Sequence, residues 1–299
     1  HGALRHPETG AVYTRAEEIP LDDPSVYRML SRGGTSGVFQ FESQLATEKL
    51  RAMRADRFDD LVATNALIRP GPLDMGMDAV YIRRKLGAEP VSYAHPDLSE
   101  VLEPTYGVIV YQEQVMRIAQ VLAGFTLAEA DVLRKAVGKK DAELIGRELA
   151  KFTERAVERG VERALATELA EQIETFGRYG FNRAHSAAYA LVAYQTAWLK
   201  THFPEAYMAA VLTADMDNTD KLIVLKDDCA QMGMQLVPPC VNHSAYAFTV
   251  GGTRQIVYGL GAIKGVGRAS VDAIVAERQH GGPYRSLLDL CRRIEQHKL

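Results

Sequence analysis

Apolar positions recur at intervals of three or four along most of the chain, which is the pattern of amphipathic helices. From Glu42 onward this spacing predicts helical structure, until Pro70-Gly-Pro72 stops the run. Another helix is predicted at Met75–Leu86, where three cations at the C-terminal end suit the helix dipole. Thr126 and Glu129 have the spacing of a capping box, which predicts a helix start. Further helices are predicted at Gln112–Ala123, 126–137, Ala142–Glu158, Arg163–Phe176, His185–Thr201, Pro204–Asp215 and Thr219–Met232. The pattern as a whole predicts a mainly α fold.

Two parts of the chain depart from this helical pattern. Residues 1–31 are polar and irregular, and the glycine-rich segment 32–41 predicts a flexible turn that leads into a buried or strand-like stretch. Phe248–Ile256, which two adjacent glycines interrupt, predicts a hairpin. We therefore expect a multi-helical domain with a small β element in an accessory module.

Composition indicates a globular cytosolic segment. The 299 residues begin with His1 and are 47% hydrophobic, without an apolar run that would form a signal peptide or a membrane span. The three cysteines form no CxxC pair, so neither a disulfide framework nor a zinc site is predicted, and a reducing compartment fits. The net charge of -3 argues weakly against nucleic-acid binding, but binding depends on the local field, so the placement of the charges matters more.

The first candidate site is a group of cations around one glycine. Arg134 and Lys135 fall in the last predicted turn of a helix, Gly138 is expected to break it, and Lys139 and Lys140 follow. Any one of these cations could simply complement the helix dipole. The four together favour an anion site such as a triphosphate, because arginine forks and lysine point charges both suit phosphate oxygens.

The second candidate site is the start of the helix predicted after residue 184. Free backbone amides at a helix start can bind an anion, and Tyr179 or Phe181 could stack on a base or a sugar. Helix capping and core packing are the competing explanations for each residue taken alone. His185 lacks a metal-ligand or nucleophile partner at a recognisable spacing, so neither a metal centre nor a hydrolase is predicted. The nominated residues are Tyr179, Asn182, Arg183, His185 and Ser186.

Arg69 is a third candidate, since it places a guanidinium just before the rigid Pro70-Gly-Pro72 turn. An exposed arginine at a helix stop is an equally good explanation on local grounds. The sequence around Arg69 leaves both open.

A glycine-hydrophobic-glycine turn before an amphipathic helix forms the fourth candidate. Gly265 and Gly267 have the spacing of a helix-hairpin-helix turn, whose amides can contact DNA phosphates without reading sequence. Such a hairpin can also be only a packing unit. Lys264 and Arg268 beside the turn favour DNA binding.

Taken in order, these stretches closely resemble the C-family replicative DNA polymerases, the alpha subunits of bacterial DNA polymerase III. The motifs that carry the resemblance span nearly the whole chain. They are Gly37-Val-Phe-Gln-Phe-Glu-Ser43, Leu67-Ile-Arg-Pro-Gly-Pro72, Gly107-Val-Ile-Val-Tyr-Gln-Glu-Gln-Val115, Arg134-Lys-Ala-Val-Gly-Lys-Lys140, Tyr179-Gly-Phe-Asn-Arg-Ala-His-Ser-Ala-Ala-Tyr189 and Tyr258-Gly-Leu-Gly-Ala-Ile-Lys-Gly-Val-Gly267. The form His185-Ser-Ala-Ala-Tyr resembles the replicative branch rather than the error-prone one.

The resemblance implies a division into three parts. Residues 1–20 would connect from the palm, 21–250 would form the fingers domain, and 251–299 would be a truncated helix-hairpin-helix region that stops before the module is complete. Members of the family hold two metal ions with three palm aspartates, whose acidic motifs this chain does not reproduce. The pairs Asp22-Asp23 and Asp227-Asp228 stand in the wrong context and are not nominated.

The activity that the resemblance implies is DNA-directed DNA synthesis, in which a primer 3′-hydroxyl attacks the α-phosphate of a dNTP. Mg²⁺ would be held by residues outside this chain, so the segment alone is expected to be inactive and to have no catalytic or metal-binding residue. Arg134, Lys135, Lys139 and Lys140 would bind the dNTP triphosphate, with Arg69 and the five residues nominated between 179 and 186 in supporting roles. The implied partners are template-primer DNA and dNTPs, with the sliding clamp and other polymerase III holoenzyme subunits for the complete protein, and no membrane.

Two other functions remain open on the residues alone. The chain could be a stand-alone nucleic-acid-binding module that uses the hairpin near Gly265, and deletion after Tyr258 would then abolish DNA binding. It could also be a helical interaction scaffold, which the many amphipathic helices would suit. Binding to a protein partner that salt does not weaken, without affinity for DNA, would indicate the scaffold.

Overall fold

The computed structural model describes residues 4–139, 142–177 and 179–294, and the chain divides into two compact units. One unit is Tyr13–Ala197, and the other combines His1–Val12 with Trp198–Leu299. Both consist mainly of α-helices, which confirms the predicted fold class. Among the described helices, none combines the length and the apolar character that a membrane crossing requires.

The regular secondary structure of the unit Tyr13–Ala197 is almost entirely α-helical. Its helices are α1 (Pro24–Ser31), α2 (Gln44–Met53), α3 (Phe58–Leu67), α4 (Pro70–Asp74), α5 (Met77–Lys85), α6 (Ser99–Leu102), α7 (Gln112–Ala123), α8 (Leu127–Lys139), α9 (Ala142–Glu158), α10 (Arg163–Gly177) and α11 (Arg183–His202), whose residues from Trp198 belong to the other unit. Two short strands, β1 (Leu4–Arg5) and β2 (Val12–Tyr13), precede them.

Helices α7 to α10 pack around a shared buried cluster. Ile118, Leu133, Phe152 and Ile173, one from each helix, are almost completely buried. Burying a side chain of this kind contributes roughly 1.5–3 kcal/mol, so the shared cluster fixes the four helices against one another. These helices carry or support most of the candidate site residues, so the core sets the geometry of the site.

The predicted capping box at the start of α8 is confirmed. The amide of Thr126 donates to Oε2 of Glu129 at 2.9 Å, and the amide of Glu129 donates to Oγ1 of Thr126 at 3.2 Å. Lys151 and Arg155 of α9 also bond to the Glu129 carboxylate, at 2.7 and 3.0 Å. The cap therefore also ties α8 to α9.

The irregular structure predicted for residues up to 31 is wrong for α1. Asp23 caps this helix, because its Oδ1 accepts the amide of Ser25 at 2.8 Å, and Pro24 occupies the first helical position, where its missing N–H does no harm. Val26 and Leu30 bury the inner face. Pro24 therefore starts a helix in a stretch that was predicted to be irregular.

Segment 32–41 contains turns and no strand, although Val38 and Phe41 are fully buried as predicted. Pro70-Gly-Pro72 follows the end of α3 at Leu67, as the pattern predicted. Pro70 also begins the short helix α4, again at the first helical position. The same three residues therefore stop one helix and start the next.

Lys85 lies in the last turn of α5, as predicted, and it also has carboxylate partners. Its side chain is 6% exposed, and Nζ lies 2.9 Å from Oδ2 of Asp60 and 2.7 Å from Oδ1 of Asp56. Asp60 is itself completely buried. A buried charge requires such partners, so Lys85 ties α5 to the start of α3.

The other unit contains the small sheet. Helices α12 (Pro204–Ala214) and α13 (Thr219–Gln231) pack on strands β3 (Gln235–Val237), β4 (Thr249–Gly252) and β5 (Gln255–Val257). Strands β4 and β5 form the predicted hairpin, with an irregularity between Val250 and Gly252. The sequence did not predict β3, which pairs with β5 in parallel.

Helices α14 (Arg268–Gly281) and α15 (Leu287–Arg293) follow the sheet. Arg293 joins them, because its Nε lies 3.1 Å from Oε1 of Glu277 and its guanidinium lies 4.4 Å from the centre of the Tyr284 ring. The hydroxyl of Tyr284 donates to the carbonyl of Ile274 at 2.9 Å. These contacts close a small satellite core with Leu290.

Candidate functional site

Gln112, the first residue of α7, joins two segments that carry predicted site residues. Its amide donates to the carbonyl of Phe181 at 3.0 Å, and its Nε2 donates to the carbonyl of Gly180 at 3.0 Å. Its Oε1 accepts a bond from Nη1 of Arg134 at 3.4 Å. The cations of α8 and the loop before α11 are therefore neighbours, although they are far apart in the chain.

Two cations of α8 share a single carboxylate. Oδ1 of Asp131 lies 2.7 Å from Nη2 of Arg134, and Oδ2 lies 2.6 Å from Nζ of Lys135. Bonds from Lys135 and then Arg134 lower the pKa of Asp131, so this carboxylate stays ionised at neutral pH. Arg134 and Lys135 are thus brought together as predicted, with half of their charge offset by Asp131.

The predicted helix break at Gly138 is wrong, because α8 continues through it to Lys139. A glycine inside a helix costs about 1 kcal/mol relative to alanine. Ala136 and Val137 are buried in the cluster of α7 to α10, and their packing offsets this cost. The side chain of Lys139 and the whole of Lys140 lie outside the described residues.

The start of α11 is already capped by side chains. Oδ1 of Asn182 accepts the amide of His185 at 2.8 Å, and the Glu113 carboxylate accepts the amide of Arg183 at 3.0 and 3.1 Å. Glu113 also accepts a bond from Nδ2 of Asn182 at 2.9 Å. The prediction that these amides are free to bind an anion is therefore wrong for Arg183 and His185.

Arg183 is held by two contacts within the same unit. Its Nη2 lies 3.1 Å from Oδ1 of Asp59 at the start of α3, and its guanidinium lies 5.8 Å from the centre of the Tyr111 ring. Both members of the ion pair are about half exposed. An exposed pair of this kind contributes little to stability, so Arg183 can exchange Asp59 for another anion at small cost.

A cavity of about 230 Å³ lies where α3, α4 and α11 meet, and it brings Arg69 and His185 together. The guanidinium of Arg69 lies 4.6 Å from the centre of the Phe181 ring. The His185 ring lies 5.3 Å from Phe181 and 4.3 Å from Tyr189, centre to centre. No carboxylate among the described residues pairs with Arg69. The cavity therefore combines an aromatic wall with an unneutralised cation.

The sequence did not nominate four other residues that line this cavity. They are Gln40, Asn65, Ile68 and Tyr189. Gln40 has a φ of 64°, in the left-handed region that few residues other than glycine adopt. Such backbone conformations concentrate at functional sites. Gln40 and Tyr189 fall inside the motifs that carry the resemblance, so membership in a motif was the only signal that could have found them.

Tyr179 packs on the backbone of α4. A Cβ on Gly71 would overlap the Tyr179 ring, so the bare Cα of this glycine makes the contact possible. The side chain of Tyr179 remains 43% exposed. Tyr179 is therefore accessible to a ligand and at the same time holds the loop before α11 against the Pro70-Gly-Pro72 turn.

Ser186 faces the interior of the unit. It is completely buried, and its Oγ donates to the carbonyl of Val62 at 2.6 Å. Its own carbonyl accepts a long bond from Nδ2 of Asn65 at 3.4 Å. This geometry favours a structural role for Ser186, as a tie between α3 and α11, over direct contact with a ligand.

The predicted helix-hairpin-helix turn lies in the other unit, at the start of α14. Gly265 has a φ of 87°, which glycine adopts without strain, and Gly267 is the N-cap residue of α14. The amide of Val266 donates to the carbonyl of Ile263 at 3.0 Å, which closes the turn. Lys264, Gly265 and Gly267 line a cleft of about 650 Å³, and all three are exposed.

Tyr246 packs against the helix-hairpin-helix turn. The guanidinium of Arg268 lies 4.7 Å from the centre of its ring, and Arg268 remains 71% exposed. The carbonyl of Tyr246 accepts the amide of Gly261 at 3.0 Å, and a Cβ on Gly261 would lie 2.7 Å from the tyrosine ring. Arg268 is only loosely paired with Asp272, at 3.7 Å. The four predicted DNA-binding residues are thus gathered at one turn.

The unit Tyr13–Ala197 does not offer a ready metal site in its described part. No three His, Cys, Asp or Glu side chains of that part place ligand atoms within 4.8 Å of one another. The nearby carboxylates of Asp59, Glu113 and Asp131 are each committed to cations or amides. These three carboxylates therefore do not fit a bound Mg²⁺ pair.

Two family profiles match separate parts of the chain. The family profile for the bacterial DNA polymerase III alpha subunit finger domain matches residues 6–160, and a profile for the helix-hairpin-helix motif matches residues 233–299. The chain is 49% identical over 286 residues, or 94% of its length, to the DNA polymerase III subunit alpha of Haemophilus influenzae. It is 49% identical over 98% of its length to that of Vibrio cholerae and 50% identical over 94% to that of Escherichia coli strain K12. The chain spans about a quarter of the length of these relatives.

Proposed function

Because the chain belongs to the family of the bacterial DNA polymerase III alpha subunit finger domain, we propose that it is the part of a DNA-directed DNA polymerase that binds the incoming nucleotide and the template-primer DNA. Family membership confirms the resemblance inferred from the ordered motifs. The predicted division into a connector (1–20), a fingers domain (21–250) and a partial helix-hairpin-helix region (251–299) stays a prediction.

The reaction of the complete polymerase is phosphoryl transfer from a dNTP to the primer 3′-hydroxyl. Mg²⁺ would stabilise the attacking and leaving oxygens, and its ligands would come from residues outside this chain. The proposed role of this chain is electrostatic and positional. Its cations would neutralise the triphosphate and hold it in place, so that the leaving pyrophosphate is stabilised.

The cavity around Arg69 is the observation that carries this proposal. Arg69 has an aromatic partner and no carboxylate partner in the described ranges, so its N–H donors are available to phosphate oxygens. Phe181 and Tyr189 offer ring faces to a base or a sugar in the same cavity. Gln112 links this cavity to Arg134, which extends the cationic surface toward α8.

Asp131 sets the charge of that surface in the absence of nucleotide. It offsets one of the two charges of Arg134 and Lys135 through bonds at 2.7 and 2.6 Å. A triphosphate carries more negative charge than one carboxylate, so it would compete for both side chains. We propose that Arg134 and Lys135 exchange Asp131 for the triphosphate when a nucleotide binds.

The hairpin residues would hold the DNA backbone. The exposed glycines of the turn, Gly265 and Gly267, together with Lys264 and Arg268, suit phosphate contacts that do not read sequence. Binding of the sliding clamp and other holoenzyme subunits, and a cytoplasmic location, are further expectations for the complete protein. They rest on the family alone.

Primer extension tests the proposal directly. The 299-residue chain alone should not extend a primer, and the complete polymerase should. In the complete polymerase, Arg134→Gln should raise KM for dNTP about tenfold, since a charged hydrogen-bonding partner contributes roughly 1.5 kcal/mol or more. Arg163→Gln is the matched control, because Arg163 pairs with Glu154 on the exposed surface of the same unit. Extension by the isolated chain, or an unchanged KM in Arg134→Gln, would contradict the proposal.

Truncation separates this proposal from a stand-alone DNA-binding module. Deletion of residues 259–299 removes the hairpin and leaves the unit Tyr13–Ala197 intact. The truncated chain should lose affinity for duplex DNA and keep its affinity for a dNTP. Loss of DNA binding from a chain that never bound a nucleotide would favour the stand-alone module instead.

A further inference from the structure

A second cavity of the unit Tyr13–Ala197 lies apart from all predicted site residues. It encloses about 400 Å³ between the start of α5 and the C-terminal half of α10. Met75, Met77, Ile109 and Phe176 supply apolar lining, and Met75 is 44% exposed. A cavity of roughly 300–1,000 Å³ with an apolar lining and a few polar groups is the usual form of a small-molecule site.

The polar lining of this cavity is negatively charged. Glu168 and Glu171 lie on neighbouring turns of α10 and both line the cavity, while no lysine or arginine does. Glu171 has no ion pair with any described residue, and Glu168 accepts only a bond from Nε2 of Gln172 at 3.0 Å. Arg84 comes close to Gly107 on the opposite side, but it bonds to Glu89 at 2.9 Å. Among the described residues, the cavity therefore offers two exposed carboxylates and no cation that neutralises them.

We propose that this cavity binds an amphiphilic organic cation, a molecule with an ammonium group on an apolar body. The ammonium would pair with Glu168 and Glu171, which side by side on one helix face can share one positive charge. The apolar body would pack on Met75, Met77 and Phe176. Methionine adapts to ligands of different shape, and its sulfur makes favourable contacts with aromatic rings.

A ligand at this position would contact both segments that hold Tyr179. The carbonyl of Phe176 accepts the amides of Tyr179 and Gly180 at 2.8 and 2.7 Å. On the other side, the amide of Met75 donates to the carbonyl of Gly71, on which the Tyr179 ring packs. A bound ligand would therefore bear on the position of Tyr179. Binding there requires neither nucleotide nor DNA, so it goes beyond the proposed function and does not depend on it.

NMR of the 299-residue chain with ¹³C-labelled methionine methyl groups tests this inference. The probe is 3-phenylpropylamine, and 3-phenylpropanol is the uncharged ligand of the same shape. The amine should shift the Met75 and Met77 methyl signals with a dissociation constant of roughly 1 mM, the range for a ligand of about ten non-hydrogen atoms. The alcohol should bind about fivefold more weakly, because it lacks the ion pair.

Variants that remove the charges of Glu168 and Glu171 complete the test. Glu171→Gln and Glu168→Gln together should remove the preference for the amine while leaving the alcohol's affinity unchanged. Glu154→Gln is the control, since Glu154 lies outside the cavity and pairs with Arg163. Failure of both ligands to shift Met75 and Met77, equal affinity for the two ligands, or a preference that survives in the double variant would each overturn the inference.

Discussion

The guanidinium of Arg69 stacks on the ring of Phe181, at 4.6 Å from its centre. Arg69 precedes α4 and Phe181 precedes α11, so the stack joins two segments that are far apart in the chain. Stacking orients the guanidinium plane and leaves its N–H donors available for an anion. A lysine at position 69 would lack the planar group that makes this stacking contact.

Arg69→Lys should weaken nucleotide binding although the charge is kept. A lysine has no planar fork to stack on Phe181 or to bind phosphate through two bonds. We expect KM for dNTP in the complete polymerase to rise about fivefold to thirtyfold, which corresponds to roughly 1–2 kcal/mol. Arg163→Lys is the control. If KM stays within about twofold of the unchanged enzyme, Arg69 contributes charge alone.

Asp131→Asn should strengthen triphosphate binding. Removal of the carboxylate frees Arg134 and Lys135, which it now holds at 2.7 and 2.6 Å. In a titration of the 299-residue chain with a fluorescent dNTP, affinity should rise about twofold to fivefold at low salt, and the gain should shrink at about 0.5 M salt because of screening. Asp97→Asn, an exposed change elsewhere in the unit, should have no effect. Weaker binding in Asp131→Asn would mean that Asp131 orients the cations instead of competing for them.

The helices that the sequence predicted best are those with a strong apolar face and a clear cap. The observed bounds of α7 and α9 equal the predicted ones, because both helices bury a continuous stripe in the same core. Helix α1 was missed, since eight residues that begin with a proline give too short a pattern. Strand β3 was missed because its pairing with β5 is not local and leaves no trace in its own three residues.

The sequence indicated which residue types form the candidate site. It did not indicate which of these residues contact one another. Asp131 stands three and four residues before Arg134 and Lys135, so helical spacing alone could have indicated the shared carboxylate. Glu113 caps α11 across a long stretch of chain, and no spacing rule reveals such a contact. Gln40 likewise lines the cavity because distant segments of the chain pack together, and no spacing rule reveals this packing.

Asn182 can be tested for capping and binding separately. Asn182→Ala should lower Tm by about 2–4 °C, because loss of an N-cap costs about 1 kcal/mol. Asn182→Ser keeps an oxygen for the amide of His185, adds no charge beside Glu113, and should restore most of Tm. Asn218→Ala, which removes the cap of α13, is the matched control. If Asn182→Ser restores KM for dNTP as well as Tm, Asn182 acts as a cap; if KM stays raised while Tm is restored, the amide group itself contacts the nucleotide.

Glu129 should make stability depend on pH. Bonds from Lys151, the amide of Thr126 and Arg155 lower its pKa in the folded state. A lowered carboxyl pKa stabilises the fold above the ordinary value of about 4.3, and this contribution is lost as pH falls toward the lowered folded value. Glu129→Gln should therefore lower Tm at pH 7, and the gap to the unchanged protein should narrow below about pH 4. Glu162→Gln, an exposed control, should leave Tm unchanged, and a gap that does not vary with pH would exclude this account.

Tyr246 should position Arg268 for DNA binding. Its ring lies under the guanidinium at 4.7 Å and beside Gly261, so Tyr246→Phe keeps both contacts whereas Tyr246→Leu keeps only bulk. Tyr246→Leu should weaken binding of the 299-residue chain to duplex DNA about threefold to fivefold, in line with a cation–π contact of roughly 0.5–1 kcal/mol, and Tyr246→Phe should not. Measured Tm values separate this effect from loss of the fold.

Combined variants of Tyr246 and Arg268 test whether the tyrosine acts through the arginine. Arg268→Gln alone should weaken DNA binding and reduce the slope of log affinity against log salt by about 1, as expected for one lost phosphate contact. In that background Tyr246→Leu should have no further effect, because the tyrosine acts only through the arginine. Additive losses in the double variant would instead mean that Tyr246 contacts DNA itself or shapes the Gly265–Gly267 turn independently of Arg268.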